Sequence, residues 1–416
     1  MAASRSRNFA PLLLLFILLA VGGFLVWRML QKAPVGPVAS ATLRTVAFSD
    51  LPGWRTGDPR PALAAFRRSC SAIASKSSDA IMGTGGYAGT VADWQKVCAS
   101  APPAGESIAA TRAFFEANFS PREVLAADGS PALFTGYYEP ELQVSRTKHG
   151  RYQTPIYGAP SNLVSVDLGA FRDAYKGEHL EGCLNGRRLL PCPARAEIDA
   201  KGLGDAPLLF YADDPISVFF LHIQGSGRVR LEDGTMMRVA YAGQNGRPYT
   251  SVARTLIDRG ALPREGMSMQ VIRAWMQAHP AEAKDVMEAD QSYVFFEELP
   301  IGDASLGSAG SEGVPLTPAA SLAVDQKFHP LGLPVYVTAT RPDSNPSRGD
   351  HPFDRLLIAQ DTGGAIRGPA RGDVFWGFGS DAESIAGRMK STGRIFVLLP
   401  QSVAQHLPDN AEIKAP

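Results

Sequence analysis

The chain has 416 residues, room for two domains or one large one around a sizeable core. Its 41 lysines and arginines balance 41 aspartates and glutamates, so no overall field draws it to nucleic acid, and that partner class is excluded. With 41 glycines and 32 prolines it favours a turn-rich β architecture over a helical bundle. The 4 cysteines form no CxxC and the 7 histidines are scattered, so neither a metal nor a cofactor is expected.

At the N-terminus, Arg5 and Arg7 precede an apolar run from about Ala10 to Trp27, which then meets Arg28 and Lys32. Residues 1–32 therefore read as a signal anchor, with the body on the periplasmic side of the inner membrane. The triplet Ala39-Ser40-Ala41 offers the alternative of a cleaved, periplasmic protein, but it lies farther past the apolar run than a signal-peptidase site usually does. Residues 33–60 read as a Pro/Ala/Gly-rich linker. The cysteines suit an exported compartment, and the local pairings Cys70–Cys98 and Cys183–Cys192 are predicted.

From 61 to 125 the pattern is helical, with Leu63, Phe66, Ile73, Trp94, Val97, Phe114 and Phe115 as core candidates; Ser120-Pro121 is expected to turn the chain. A β-rich region starts at 134–140. Between 145 and 290, the runs 208–211 and 218–223 read as continuous apolar strands, followed by a turn at 224–227. A hairpin tip is expected at 232–235, and helices at 251–258 and 267–278. Beyond 291, short strands at 292–296, 321–325, 333–338, 356–359 and 395–399 alternate with Gly/Pro turns, with a short helix at 381–389. That spacing suggests a small closed barrel. The tail, 401–416, is expected to be loosely ordered.

Two acids carry the strongest chemical signal. Asp361 follows the apolar run 356–359 and precedes Gly363 and Gly364, and Asp373 opens the strand-like Val374-Phe375-Trp376. Carboxylates at strand ends beside bare glycine backbone can form a cleft where a bulky substrate meets a proton donor. The alternative is a pair of turn or capping aspartates. Asp361-Thr362-Gly363 also raises an aspartic protease, but that chemistry needs two such loops and the sequence holds no second triplet. Asp325, at the end of an apolar run, reads as a supporting or structural acid, and His222 as a hydrogen-bonded core residue.

Seven motifs in order, spread over roughly residues 60 to 400, resemble the membrane-bound lytic transglycosylase A family. They are Gly136-Tyr137-Tyr138-Glu139-Pro140, His222-Ile223-Gln224-Gly225-Ser226-Gly227, Ser292-Tyr293-Val294-Phe295-Phe296, Gly313-Val314-Pro315-Leu316-Thr317, Ser321-Leu322-Ala323-Val324-Asp325, and the segments around Asp361 and Asp373. The last three also resemble the three-aspartate domain, here Asp325, Asp361 and Asp373. The resemblance implies a mainly β fold with flanking helices: a double-psi β-barrel from residues 61–144 and 291–400, a second β domain inserted at 145–290, and a glycan groove between them. It implies cleavage of the β-1,4 bond between N-acetylmuramic acid and N-acetylglucosamine, leaving a 1,6-anhydro end, with one aspartic acid acting first as acid and then as base. Asp373 matches the acid and Asp361 a helper. Tyr137, Tyr138, Gln224, Gly225, Ser226, Gly363, Gly364 and Trp376 become candidate sugar contacts, peptidoglycan strands the substrate, and wall-synthesis or remodelling proteins candidate partners. No cysteine follows the apolar segment, so the lipoprotein localisation common in the family does not carry over. A membrane-tethered wall-binding module without activity is the rival reading.

Overall fold

The computed structural model describes residues 40–172, 175, 178–204 and 206–415, and the expected anchor at 1–32 lies outside them. Among the described residues no helix is long and apolar enough to cross a membrane. The chain opens with β1 (Ser40–Thr45), the helices α1 (Arg60–Ala74), α2 (Val91–Ala99) and α3 (Ile108–Asn118), then β2 (Phe119–Ala126) and β3 (Ala132–Glu139). Next come β4 (Glu141–Ser145), β5 (Thr154–Tyr157), β6 (Leu163–Asp167), β7 (His179–Asn185), β8 (Arg188–Leu190), α4 (Arg195–Lys201), β9 (Leu208–Ala212), α5 (Pro215–Gln224), β10 (Gly227–Leu231) and β11 (Met236–Gln244). Helices α6 (Val252–Asp258), α7 (Met269–Ala278) and α8 (Pro280–Glu288) lead to β12 (Val294–Pro300). The last part holds β13 (Ser321–Ala323), β14 (Pro334–Arg341), β15 (His351–Asp361), β16 (Arg371–Phe378), α9 (Gly379–Ala386), β17 (Lys390–Pro400), α10 (Gln401–Ala404) and β18 (Ala411–Lys414).

Six of these strands close into a barrel in the order β14-β15-β13-β16-β3-β17, with β17 pairing back onto β14. Two of its seams, β13 with β15 and β16 with β3, are parallel, and the others antiparallel. Closure explains the unbroken apolar runs of β15 and β17: Leu357, Ile358, Ala359 and Ile395 to Leu399 are all fully buried. Helices α1 to α3 cover part of this core with Leu63, Phe66, Ile73, Trp94 and Phe115. Both expected disulfides are present; Cys70–Cys98 ties α1 to α2, and Cys183–Cys192 closes the end of a three-stranded sheet, β6-β7-β8. A separate six-stranded sheet, β12-β11-β10-β4-β9-β5, has its own apolar core. The mainly β fold with flanking helices, a barrel and a second β unit is as expected.

Four local expectations need correction. Residues 218–223 form helix α5, not a strand. Asp214 caps it by accepting from the backbone N–H of Ile216 and Ser217, Pro215 opens it, and Gly225 closes it in the left-handed region at φ 79°. Its apolar periodicity vanished because it is buried on two sides: Val218 and Leu221 face the six-stranded sheet, while Ile216, Phe219 and Phe220 face α6 to α8. Ser120-Pro121 is no turn; it lies inside β2, with Pro121 opposite Leu398. The linker reading fails from residue 40 onward, where β1 pairs with both β2 and β18. Through residue 415 the tail is ordered for the same reason, since β18 completes that edge.

The chain passes from the barrel to the second sheet through Pro140 alone, between β3 and β4. Beside it the fully buried Glu139 is held by two arginines of the second sheet. Arg228 Nε lies 3.2 Å from Oε2, and Arg238 Nε lies 3.0 Å from Oε1. The backbone N–H of Ser308 donates to Oε1 at 2.8 Å. Both guanidiniums also donate to the Leu306 carbonyl, so one carboxylate joins barrel strand, second sheet and the 304–308 loop. Removing one partner of such a buried cluster strands the remaining charges in low dielectric. We expect Glu139→Ala to lose about 3–5 kcal/mol, read as a lower urea midpoint, with an unchanged midpoint counting against this role.

Candidate active site

Strand register brings the two aspartates together. Ala323 of β13 lies opposite Asp361 of β15 on one side and Asp373 of β16 on the other. The two acids therefore flank one buried alanine on the same face of the barrel, about 10 Å apart at the backbone, two strand spacings. Across the next seam Asp373 pairs with Thr135 and Phe375 with Tyr137, whose rings lie 5.2 Å apart between centroids. Alternation along β3 thus aims Thr135 and Tyr137 at the acids. Both acids are half-buried.

The two acids are satisfied very differently. Asp361 Oδ1 accepts from the Ser311 backbone N–H and hydroxyl, both at 3.0 Å, and from the Thr362 N–H at 2.9 Å. Its Oδ2 accepts from the Tyr137 hydroxyl at 2.8 Å. Asp373 Oδ1 accepts from the Thr135 hydroxyl at 2.5 Å, and among the described residues no donor meets Oδ2. Thr135 is oriented in turn by Arg371, which donates to its hydroxyl at 2.7 Å. Burial raises the pKa of both acids. At Asp361 that push is opposed by Ser311, Tyr137 and Thr362. At Asp373 it is opposed by Thr135 and Arg371 and reinforced by the charge of Asp361. Tyr137 stays protonated, because burial and both aspartates push its phenol up.

The loop between β12 and β13 reaches Asp361 because two of its residues lack side chains. A Cβ on Gly310 would meet the Gln360 carbonyl at 2.6 Å, and one on Gly307 would meet the Phe375 ring at 2.4 Å. Asp325 is buried and ties down the segment beyond Asp361: its Oδ2 accepts from the Gly368 N–H at 2.8 Å and its Oδ1 from the Lys327 N–H at 3.2 Å. Gly363 and Gly364 lie in that segment, Gly364 exposed.

The remaining sequence candidates do not join the acids. Tyr138 is buried on the opposite side of β3, packed with Ala382, Ala386 and Trp376. Trp376 leans on Phe353, and a Cβ on Gly136 would strike its ring at 2.7 Å. Gln224 accepts from the Tyr138 N–H at 3.0 Å; Gly225 caps α5 and Ser226 is buried. With Tyr138, Gln224 lines a recess of about 200 Å³ behind the acid-bearing face. His222 is a core residue, its Nδ1 2.8 Å from an Arg195 guanidinium nitrogen and its pKa held well below the usual value by burial and that charge. Thr135, Ser311 and Arg371 were missed as site residues. Only Arg371 left a sequence trace, two residues before Asp373.

A closed barrel bearing two half-buried aspartates, one saturated with donors and one not, is a candidate acid–base site. Comparison with known proteins narrows that reading. Residues 133–297 match the MltA specific insert domain and residues 320–399 the 3D domain. Membrane-bound lytic murein transglycosylase A of Escherichia coli strain K12 is 34% identical over 267 residues, covering 64% of this chain and 65% of that protein. The chain thus spans slightly less than two thirds of that curated relative's length. The crystal structure of membrane-bound lytic murein transglycosylase from Agrobacterium tumefaciens superposes with a TM-score of 0.76 at 33% identity, covering 88% of this chain and 99% of that one. That of E. coli MltA with bound chitohexaose gives 0.62 at 27% identity, covering 89% and 97%. The chain belongs to the membrane-bound lytic murein transglycosylase A family.

Raised carboxyl pKa values carry a stability cost with a definite sign. Asp373 titrates above its ordinary 3.8 in the fold, so its contribution is fully favourable below that value and is lost as pH rises through the folded value. Asp373→Asn removes the charge. We expect it to match wild type in thermal stability below about pH 3.5 and to exceed it at pH 7. A variant less stable at pH 7 than at pH 3.5, relative to wild type, contradicts the assignment.

Proposed function

We propose that this chain is a peptidoglycan lytic transglycosylase in which Asp373 is the only proton-transfer group. The supporting observation is the asymmetry between the two aspartates. Asp361, with four donors, is best satisfied as a carboxylate. Asp373, with one donor and a charged neighbour, favours the protonated form and presents Oδ2 to an approaching glycan. In the proposed reaction Asp373 gives its proton to the oxygen bridging N-acetylmuramic acid C1 and N-acetylglucosamine. As the C1–O bond breaks, the negative charge of Asp361 stabilises the positive charge developing at the sugar. The muramic acid C6 oxygen then bonds to C1 and its proton returns to Asp373, which restores the acid and leaves a 1,6-anhydro end. Water takes no part, unlike glycosidases that use a pair of carboxyls as acid and nucleophile or base. The Thr135 hydroxyl, held by Arg371, supports Oδ1 through both protonation states.

The junction between barrel and second sheet is the proposed seat of the glycan, with Ser311, Gly363 and Gly364 along its edge. The relative crystallised with chitohexaose makes an amino-sugar strand the natural ligand class. Tyr138, Trp376 and Gln224 support β3 from behind rather than touching sugar. The proposed setting is the periplasmic side of the inner membrane, tethered through residues 1–32, beside wall-synthesis or remodelling proteins.

Incubating the protein with purified sacculi should release anhydro-muropeptides detectable by mass spectrometry. Asp373→Asn should retain sacculus binding while its turnover falls by about 10²–10⁴-fold, the scale of an essential proton transfer. Binding by wild type without anhydro-sugar release sinks the lyase reading. An Asp373→Asn variant with a tenth of the wild-type rate moves the acid role to Asp361.

A further inference from the structure

A polar cluster around one further carboxyl, Glu312, lies directly behind Asp361. Glu312 follows Ser311, and the Ser69 hydroxyl of α1 donates to its Oε2 at 2.5 Å. The Glu312 backbone N–H donates to the Gln360 carbonyl at 3.0 Å. Gln360, fully buried beside Asp361, donates through Nε2 to Ser69 Oγ and to the Ala65 carbonyl, both at 3.0 Å, and its Oε1 accepts from Ser321 at 2.5 Å. Ser69 thus joins the residue before Asp361 to the residue after Ser311. Glu312 Oε1 is buried with no partner among the described residues, under Gly332, where a Cβ would meet it at 2.9 Å. A buried carboxyl with one oxygen unmet carries a desolvation cost that a purely structural clamp does not need.

We propose that Glu312 is a positioning residue for Asp361: through Ser69 it holds the loop so that the Ser311 N–H and hydroxyl stay on Asp361 Oδ1 and keep that acid charged. The inference rests on the lyase reading for its consequence in turnover. Burial pushes the Glu312 carboxyl up to about 7, opposed by Ser69, Lys76 and Gln360. Lys76, just beyond α1, is the charged group that acts on it. The clamp therefore changes charge near neutral pH.

The test reads the Asp361 carboxyl directly, by ¹³C NMR of aspartate-labelled protein, with its signal assigned from Asp361→Asn. Glu312→Ala should raise the Asp361 midpoint by about one pH unit as the Ser311 donors loosen. It should also lower kcat on sacculi by about 10- to 100-fold while KM moves less than about threefold. Glu312→Gln, which keeps an acceptor for Ser69, should restore most of both and remove any limb near pH 7 from the kcat profile. A folded Glu312→Ala with an unmoved Asp361 midpoint overturns the proposal, as does a Glu312→Gln no better than Glu312→Ala. If Glu312→Ala does not fold, Ser69→Ala replaces it, with a raised midpoint expected and an unchanged one overturning. Wild-type protein that releases no anhydro sugar defeats the lyase reading alone, because the midpoint is measured without substrate.

Discussion

The strand that brings Thr135 and Tyr137 to the acids ends in one buried glutamate, and how that carboxylate is met ties the strand to the second sheet. Glu139 ends that strand, and its carboxylate is met by two arginines from the other sheet and by the Ser308 N–H. A carboxylate with no solvent exposure cannot tolerate drift of those partners, since each loses its compensation if the sheets part. The junction at Pro140 is thereby tied electrostatically, alongside the contact of Met269 with Tyr138, Ala382 and Ala386. Phe378, under the Arg228 guanidinium at 3.3 Å, brings the end of β16 into the same constraint.

The loop between β12 and β13 turns that constraint into chemistry. Ser308 touches Glu139, Ser311 touches Asp361 and Glu312 touches Ser69, all within five residues. A disturbance at the sheet junction therefore reaches the donors that distinguish one aspartate from the other. The distinction matters more than the raised pKa that both share. Two acids in similar burial, both raised by it, differ in their donors: four converge on Asp361 and one on Asp373.

Much of this was legible in the residues, and the failures have identifiable causes. The barrel strands announced themselves as short apolar runs between Gly/Pro turns, and both cysteine pairs are the local ones. Asp361 and Asp373 stood out because glycine beside an acid is visible in one dimension. What was hidden is pairing. Nothing in Thr135 or Ser311 signals that strand register and a loop return will set each against an aspartate. Helix α5 was misread because a segment buried on two sides loses its periodicity, although its Asp-Pro start and glycine stop were there to be read. The aromatic candidates split for a related reason: Tyr137 and Tyr138 are neighbours in sequence but face opposite ways on a strand, so only one could meet the acids.

The pairing of β1 with β18 has a practical meaning for anyone cutting this protein. Those strands hydrogen-bond to each other at the open margin beyond β2, so the first and last described segments are stitched together there. A soluble form trimmed at residue 60, where composition first turns helical, would strip one strand from that margin and leave β2 and β18 with bare backbone edges. Such an edge invites pairing with another copy. The safe place to sever any leading segment lies ahead of Ser40, and a purification handle at the far end must leave Ala411–Lys414 free to zip onto its mate.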